Sequence, residues 1–320
     1  MAEPPPDIEC PLLDLSACSV EEHCLALIRL ERLPFLWHLG VRRVFGNYSL
    51  PFRDAEGQWW HQVKPGLCWP VDFFRPFDPA RVRLPFGKTF LGYQHIVADE
   101  ASANSRLVIN TIQDLGSYSA RSISHNRRKM VRKGLRKCRL SLLKEFDASL
   151  IGELHSAWRD LRERTGWRSD VDRATFEDTW RMLLQCPGTS IIVGHDASSG
   201  EVAGFLVTKI IGDTAQGDTI ASRTNMLSTN INDALVYAFF VNAARIPGVT
   251  KVNYAIKSTV TKLEQFKTGM GLSPVPFPAV TRLRPGVGAG LRLFFPAKYN
   301  RMTGRFEDLP AESPQDEQEG

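Results

Sequence analysis

The sequence predicts an α/β protein with a mixed central sheet flanked by helices. Two observations carry that expectation. Between Asp147 and Leu283, helix-like and strand-like segments follow in the order α-α-β-β-β-α-β-α-β. Ahead of them, Leu33 to Leu91 is broken by seven prolines (Pro34, Pro51, Pro65, Pro70, Pro76, Pro79 and Pro85) and rich in aromatics such as Trp59, Trp60 and Trp69. That pattern predicts short strands and loops rather than long helices. At 320 residues, 43% hydrophobic and 23% charged, the chain suits one large globular domain or two medium ones.

The elements are justified in chain order. The first 18 residues are proline-rich and read as an extended lead-in. Ser19 and Glu22 form an S-x-x-E capping box for a short helix through Leu30. Leu107 to Ile112 reads as a strand or a helix start. Val131, Leu135 and Cys138 then give a thin apolar stripe to a basic helix carrying Arg121, Arg127, Arg128, Lys129, Arg132, Lys133, Arg136, Lys137 and Arg139. Leu140 to Leu143 follows as a short strand. Leu150, Leu154, Trp158 and Leu161 mark a helix ending near Gly166, and Ala174 to Gln185 a second, stopped by Pro187 and Gly188. Strands follow at Ser190–Gly194, Val202–Ile211 and Asp218–Arg223. Asn232 caps a helix with Leu235, Ala238, Phe239 and Ala243, ended by Pro247 and Gly248. Val252–Ile256 is a strand, Thr259–Thr268 a helix stopped by Gly269 and Gly271, and Pro276–Leu283 the last strand.

Composition narrows the function classes. No apolar run approaches the roughly 20 residues needed to span a bilayer. No basic segment followed by an apolar one opens the chain, so a cytoplasmic location is expected. The six cysteines form no C-x-x-C pair, and His23 beside Cys24 has no second ligand pair, so neither a disulfide framework nor a metal site is expected. Six acids and no base lie beyond Phe306. Removing them from a chain of net +5 leaves residues 1–305 at +11, which suits an anionic ligand. The acidic tail is expected to be disordered.

Four motifs, in order, resemble the GCN5-related N-acyltransferases, and more closely their FemAB-like branch. Ser122 to Gly134 (SISHNRRKMVRKG) resembles the basic helix that precedes that branch's second module. Ala203-Gly204-Phe205-Leu206-Val207 is similar to its third strand, Lys257-Ser258 to its R-S pair, and Phe266-Lys267-x-x-x-Gly271 to its F-K helix end. The resemblance runs from about residue 115 to 285. It implies two tandem modules: a lead-in and short helix over 1–32, a degenerate first module over 33–145 ending in the basic helix 121–139, a second module over 146–305, and the tail 306–320.

The resemblance also implies acyl transfer to an amine of a small molecule or cell-wall precursor. Acyl-CoA, an acyl carrier protein or aminoacyl-tRNA would be the donor, with no tightly bound cofactor. The basic helix 121–139 is a candidate contact for tRNA or a carrier protein. Family members that bind acyl-CoA cradle its pyrophosphate on glycine amides before the central helix. Here that place reads Ser228 to Ala234, without glycine and with Asp233. Acyl transfer needs a proton acceptor and oxyanion donors, and the resemblance puts both in a cleft between Asp218–Arg223 and Val252–Ile256. Candidate catalytic residues are Tyr254, as general acid, with Asn253 and Ser258. Candidate donor-binding residues are Arg223, Thr224, Asn225, Asn230, Asn232, Lys257 and Lys267. Lys267 reads equally as a surface lysine paired with Glu264. Arg162 to Trp167 and the loop Arg168 to Asp172 frame a candidate acceptor site. A second reading stays open: a binding module with a decayed site that holds RNA or another anionic partner.

Overall fold

The computed structural model describes residues 8–30, 50–166 and 171–305. The strands are β1 (Phe52–Arg53), β2 (Trp59–Lys64), β3 (Leu67–Pro70), β4 (Gly92–Ile96), β5 (Ser105–Ile112), β6 (Cys138–Leu142), β7 (Thr189–Asp196), β8 (Val202–Ile211), β9 (Thr214–Ser222), β10 (Lys251–Ile256) and β11 (Ser273–Leu283). The helices are α1 (Val20–Leu30), α2 (His125–Lys137), α3 (Ala148–Thr165), α4 (Arg173–Gln185), α5 (Ile231–Ala243), α6 (Thr261–Gly269), α7 (Val287–Phe294) and α8 (Pro296–Thr303).

All eleven strands join one sheet in the order β1-β2-β3-β4-β11-β5-β10-β9-β8-β7-β6. The two halves of the chain therefore share a sheet: β11 and β10, from the second half, bracket β5 from the first. β8 is buried along its whole length, as its largely apolar run, interrupted by Thr208 and Lys209, suits a strand covered on both faces. On one face α3 and α4 place Ile151, Leu154, Trp158, Phe176, Trp180 and Leu183 against Phe205 and Val207. On the other, α2 and α5 place Val131, Leu235, Phe239 and Phe240 against Leu206 and Ile210. α5 is buried nearly all round, so its sequence lacks a polar stripe.

Local chemistry accounts for most ends. Ser19 Oγ accepts from Glu22 N at 3.1 Å, Ser124 Oγ from Arg127 N, and Gly166 closes α3 in the left-handed region at φ 68°. The cap of α5 differs from expectation. The helix starts after Asn230, which takes φ 62° and caps with no side-chain bond, while Asn232 lies inside the first turn with a buried, unpartnered Oδ1. The residue that leaves the preceding 3-10 turn must adopt a left-handed conformation, and asparagine tolerates it. α7 and α8 have no counterpart among the expected elements. The lead-in before Ile8, residues 33–49 of the first expected module, Trp167 to Asp170 of the acceptor loop and the tail 306–320 lie outside the described residues.

Candidate active site

β9 and β10 run parallel for three rungs only: Lys251 opposite Thr214, Val252 opposite Ala215 and Asn253 opposite Gln216. Beyond Gln216, β9 continues along β8 to Ser222, while β10 keeps to β5. β10 bends at an irregularity between Asn253 and Ile256, where Ala255 takes φ 67°. A left-handed alanine costs roughly 1–2 kcal/mol, and Asn253 Oδ1 supports it by accepting from Ala255 N at 3.2 Å. The result is a fork, in which the backbone of β9 past Gln216 has no β10 partner.

Tyr254 fills the α5 side of this fork. Its ring stands edge-on to Phe240, with centroids 5.6 Å apart. It also lies over Gly217, where a Cβ would come within 2.4 Å of the ring. Only glycine permits that approach. Burial raises the phenol pKa, so the hydroxyl keeps its proton at neutral pH.

The opposite face of the fork holds a cavity of about 50 Å³ lined by Lys209, Gln216 and Asn253, closed over by His23, His61 and Trp69. Asn253, Gln216 and Lys209 are successive rungs of one row across the sheet. Lys209 Nζ lies 3.5 Å from Asp218 Oδ2, with the two side chains only 6% and 11% exposed. An ammonium in the middle of an all-buried strand is costly unless paired, and Asp218 is that pair. His23, from α1, places Nδ1 3.0 Å from the Pro187 carbonyl and 3.5 Å from Cys186 Sγ. Burial pushes its pKa down to about 4, with Lys209 lowering it further and Asp218 opposing. Sequence reasoning missed this group. Its one available signal was a lysine inside the apolar run Val202–Ile211.

A second polar cluster flanks β10 on the α6 side. Lys267 Nζ donates to Glu264 Oε1 at 2.9 Å. The same oxygen accepts from Ser258 N at 2.8 Å and from Asn110 Nδ2 at 3.2 Å. Lys267 is 4% exposed at its side chain, so the surface-lysine reading is wrong: the helix turns it inward onto β5. Burial lowers its pKa and Glu264 opposes the shift. Arg301 of α8 is likewise lowered by burial and faces the charge of Glu264.

The first turn of α5 is packed against protein. A Cβ on Gly134 of α2 would come within 2.5 Å of Asn230 O and 2.9 Å of Ala234 Cβ. Arg127 Nη1 donates to Asp233 Oδ1 at 2.9 Å, and its guanidinium lies 4.7 Å over the Phe266 ring. Burial raises the Asp233 pKa, and Arg127 works against it. The Asn230 backbone thus sits against α2, and Asn232 follows it in the first turn of α5. The negative charge at Asp233 is neutralised by the basic helix itself.

The remaining candidates are dispersed. Arg223 Nη2 lies 3.6 Å from Glu153 Oε2. Thr224 N donates to Asp160 Oδ2, and its Oγ1 accepts from Arg164, both at 3.0 Å. These two therefore tie the end of β9 to α3, with Asn225 exposed beside them. Lys257 N extends the β10–β5 pairing by donating to Val108 O at 2.8 Å. Ser258 is 6% exposed and its Oγ accepts from Val260 N, so its hydroxyl braces the turn into α6. The candidates do not share one pocket: Asn253 and Tyr254 lie at the fork, Ser258 and Lys267 meet through Glu264, and the rest lie on its flanks.

No family model and no curated protein sequence matches the chain. Solved structures do. L-PGS from Bacillus licheniformis superposes at TM-score 0.52 and 14% identity, over 91% of this chain and 98% of that one. A C-terminal domain ascribed to a lysylphosphatidylglycerol synthetase of Agrobacterium fabrum gives 0.51 and 12%, over 87% and 96%. The chain shares the fold of these two structures, a mixed central sheet flanked by helices. FemX aligns at TM-score 0.45 and 12% identity over 58% of this chain, which spans 63% of that one. Identity at this level speaks to fold; activity has to come from the site. Among the described residues, no helix is long and apolar enough to cross a membrane.

Proposed function

We propose that the protein is an acyltransferase that moves an aminoacyl group from aminoacyl-tRNA to an amine of a small molecule or cell-wall precursor. The fork of β9 and β10 carries this reading. Backbone amides of β9 beyond Gln216, with no β10 partner, are positioned to donate to the oxyanion of a tetrahedral intermediate. Asp218 stands two residues past the last rung and beside Lys209. It is the proposed base for the incoming ammonium. The cavity of about 50 Å³ suits an ammonium or a water rather than a whole acceptor, so the acceptor body would enter from the α3 side. Tyr254, still protonated, is the proposed donor of a proton to the leaving ribose hydroxyl.

Aminoacyl-tRNA is favoured over a thioester because the first turn of α5 is packed against α2. The exposed Lys129, Arg136, Lys137 and Arg139 supply cations for phosphates instead. Native mass spectrometry of protein purified from its host tests the donor. Co-purified tRNA, released steeply by salt, is expected. Co-purified CoA species, or a thermal shift with saturating acyl-CoA, would sink the tRNA version in favour of the thioester. One observation favours the binding-module reading: the Tyr254 ring occupies the fork. Retained tRNA binding with no aminoacyl transfer to any amine offered would support that module.

A further inference from the structure

Four phenylalanines are exposed among the described residues, and all four flank the end of β11. Phe86 and Phe90, 68% and 46% exposed, lie in the segment before β4. Phe294 and Phe295, 71% and 52% exposed, close α7 beside Leu293 at 73%. Arg284 ties the first segment to the start of α7: its guanidinium lies 4.6 Å over the Phe86 ring, its backbone N donates to Leu91 O, and its carbonyl accepts from Val287 N. α7 follows directly, with Gly288 against Leu283. α7 half-buries Val287 and Leu291 and fully buries none of its residues, so packing within the chain does not explain Leu293 and Phe294.

Charge within the two segments that carry these side chains has one sign. No acid occurs between Glu264 and Glu307, or between Asp78 and Asp99. Arg83, Lys88, Arg282, Arg292 and Lys298 are exposed there. Lys298 lies 5.2 Å over the Phe295 ring. A groove of about 610 Å³, lined by Arg83, Tyr93, Arg282 and Arg284, opens beside them. Consecutive large apolar side chains on a short helix, ringed by cations, match an anionic bilayer surface: the aromatics enter the headgroup boundary and the cations meet lipid phosphates. A protein partner would need a matching acidic and apolar face; a bilayer supplies both chemistries over any area.

We propose that the protein docks on anionic membrane surfaces through α7 and the Phe86–Phe90 segment, independently of which reaction it performs. The test is co-sedimentation of the full chain with vesicles of phosphatidylcholine alone and of phosphatidylcholine with about a third phosphatidylglycerol. Binding should be confined to the anionic vesicles and fall about fivefold per cation removed, so Arg292→Glu with Lys298→Glu loses at least about 25-fold. Leu293→Ser with Phe294→Ser should lose about tenfold or more at unchanged charge. All four side chains are exposed, and an unchanged circular dichroism spectrum checks that each variant folds. Equal binding to both vesicle types, or none to either, overturns the proposal. So does a dimer in sedimentation velocity that Phe294→Ser dissociates, which would make the patch an interface between copies.

Discussion

His23 should make the protein acid-sensitive over a defined window. Its folded pKa is pushed down to about 4 from an ordinary 6.5 by burial of the ring, which outweighs the opposing hydrogen bond to the Pro187 carbonyl. Between those values the unfolded chain binds a proton that the folded chain refuses. Stability from this group is therefore intact above about pH 6.5 and falls as pH drops towards 4, by about 1.36 kcal/mol per unit, or about 3 kcal/mol in all. Urea unfolding of the wild-type chain and of His23→Gln, followed across that range, isolates the effect, since the carboxylates titrate alike in both. At neutral pH the variant should be the less stable, by about 1 kcal/mol for its missing hydrogen bond. Towards pH 4 the difference should vanish and then reverse. Parallel curves would refute the burial argument and with it the packing of α1 over the fork.

Further outcomes follow from the same interactions. Lys267→Ala leaves the half-buried Glu264 with Asn110, the Ser258 amide and the charge of Arg301, and should cost about 1.5–3 kcal/mol in denaturant unfolding; Lys267→Met with Glu264→Gln should recover most of it. Arg127→Ala strands Asp233 and should cost about 2–3 kcal/mol, with Asp233→Asn as the rescuing partner. Gly217→Ala drives a Cβ into the Tyr254 ring, destabilising by about 1–3 kcal/mol, whereas Tyr254→Ala should relieve that clash in the double variant. Asp218→Asn should slow transfer by about 10²–10⁴-fold in a single-turnover assay if Asp218 is the base.

The fold was legible because its strongest signals are one-dimensional. The largely apolar run of Val202–Ile211 and the glycine and proline stops around the helices each fix an element without reference to the rest. The site was less legible because it is made by register. Asn253 is far in sequence from Gln216 and Lys209, which face each other across one hairpin, and the three meet only because β8, β9 and β10 pair in one alignment. Ser258 looked like a hydroxyl beside a lysine, yet its turn needs that oxygen for Val260 N. Tyr254 looked like a cleft residue, and Gly217, which no motif marks, decides which way its ring packs.

The basic helix shows most clearly how composition and position combine. Read as charge, α2 is a nucleic-acid contact; read as packing, it is the lid on α5. Both follow from one helix with two faces. Gly134 and Arg127 face α5, where the missing side chain allows close approach and the guanidinium meets Asp233. Lys129, Arg136 and Lys137 face solvent. Restoring glycines before α5 would therefore not by itself restore a pyrophosphate cradle, because α2 and the Asp233 carboxylate would still occupy it. On the proposed reading, a donor with phosphates would meet the outer face of α2 instead. The salt dependence of its binding should then track Lys129, Arg136 and Lys137, and neutralising each of them should flatten the slope by about one unit per phosphate left unpaired.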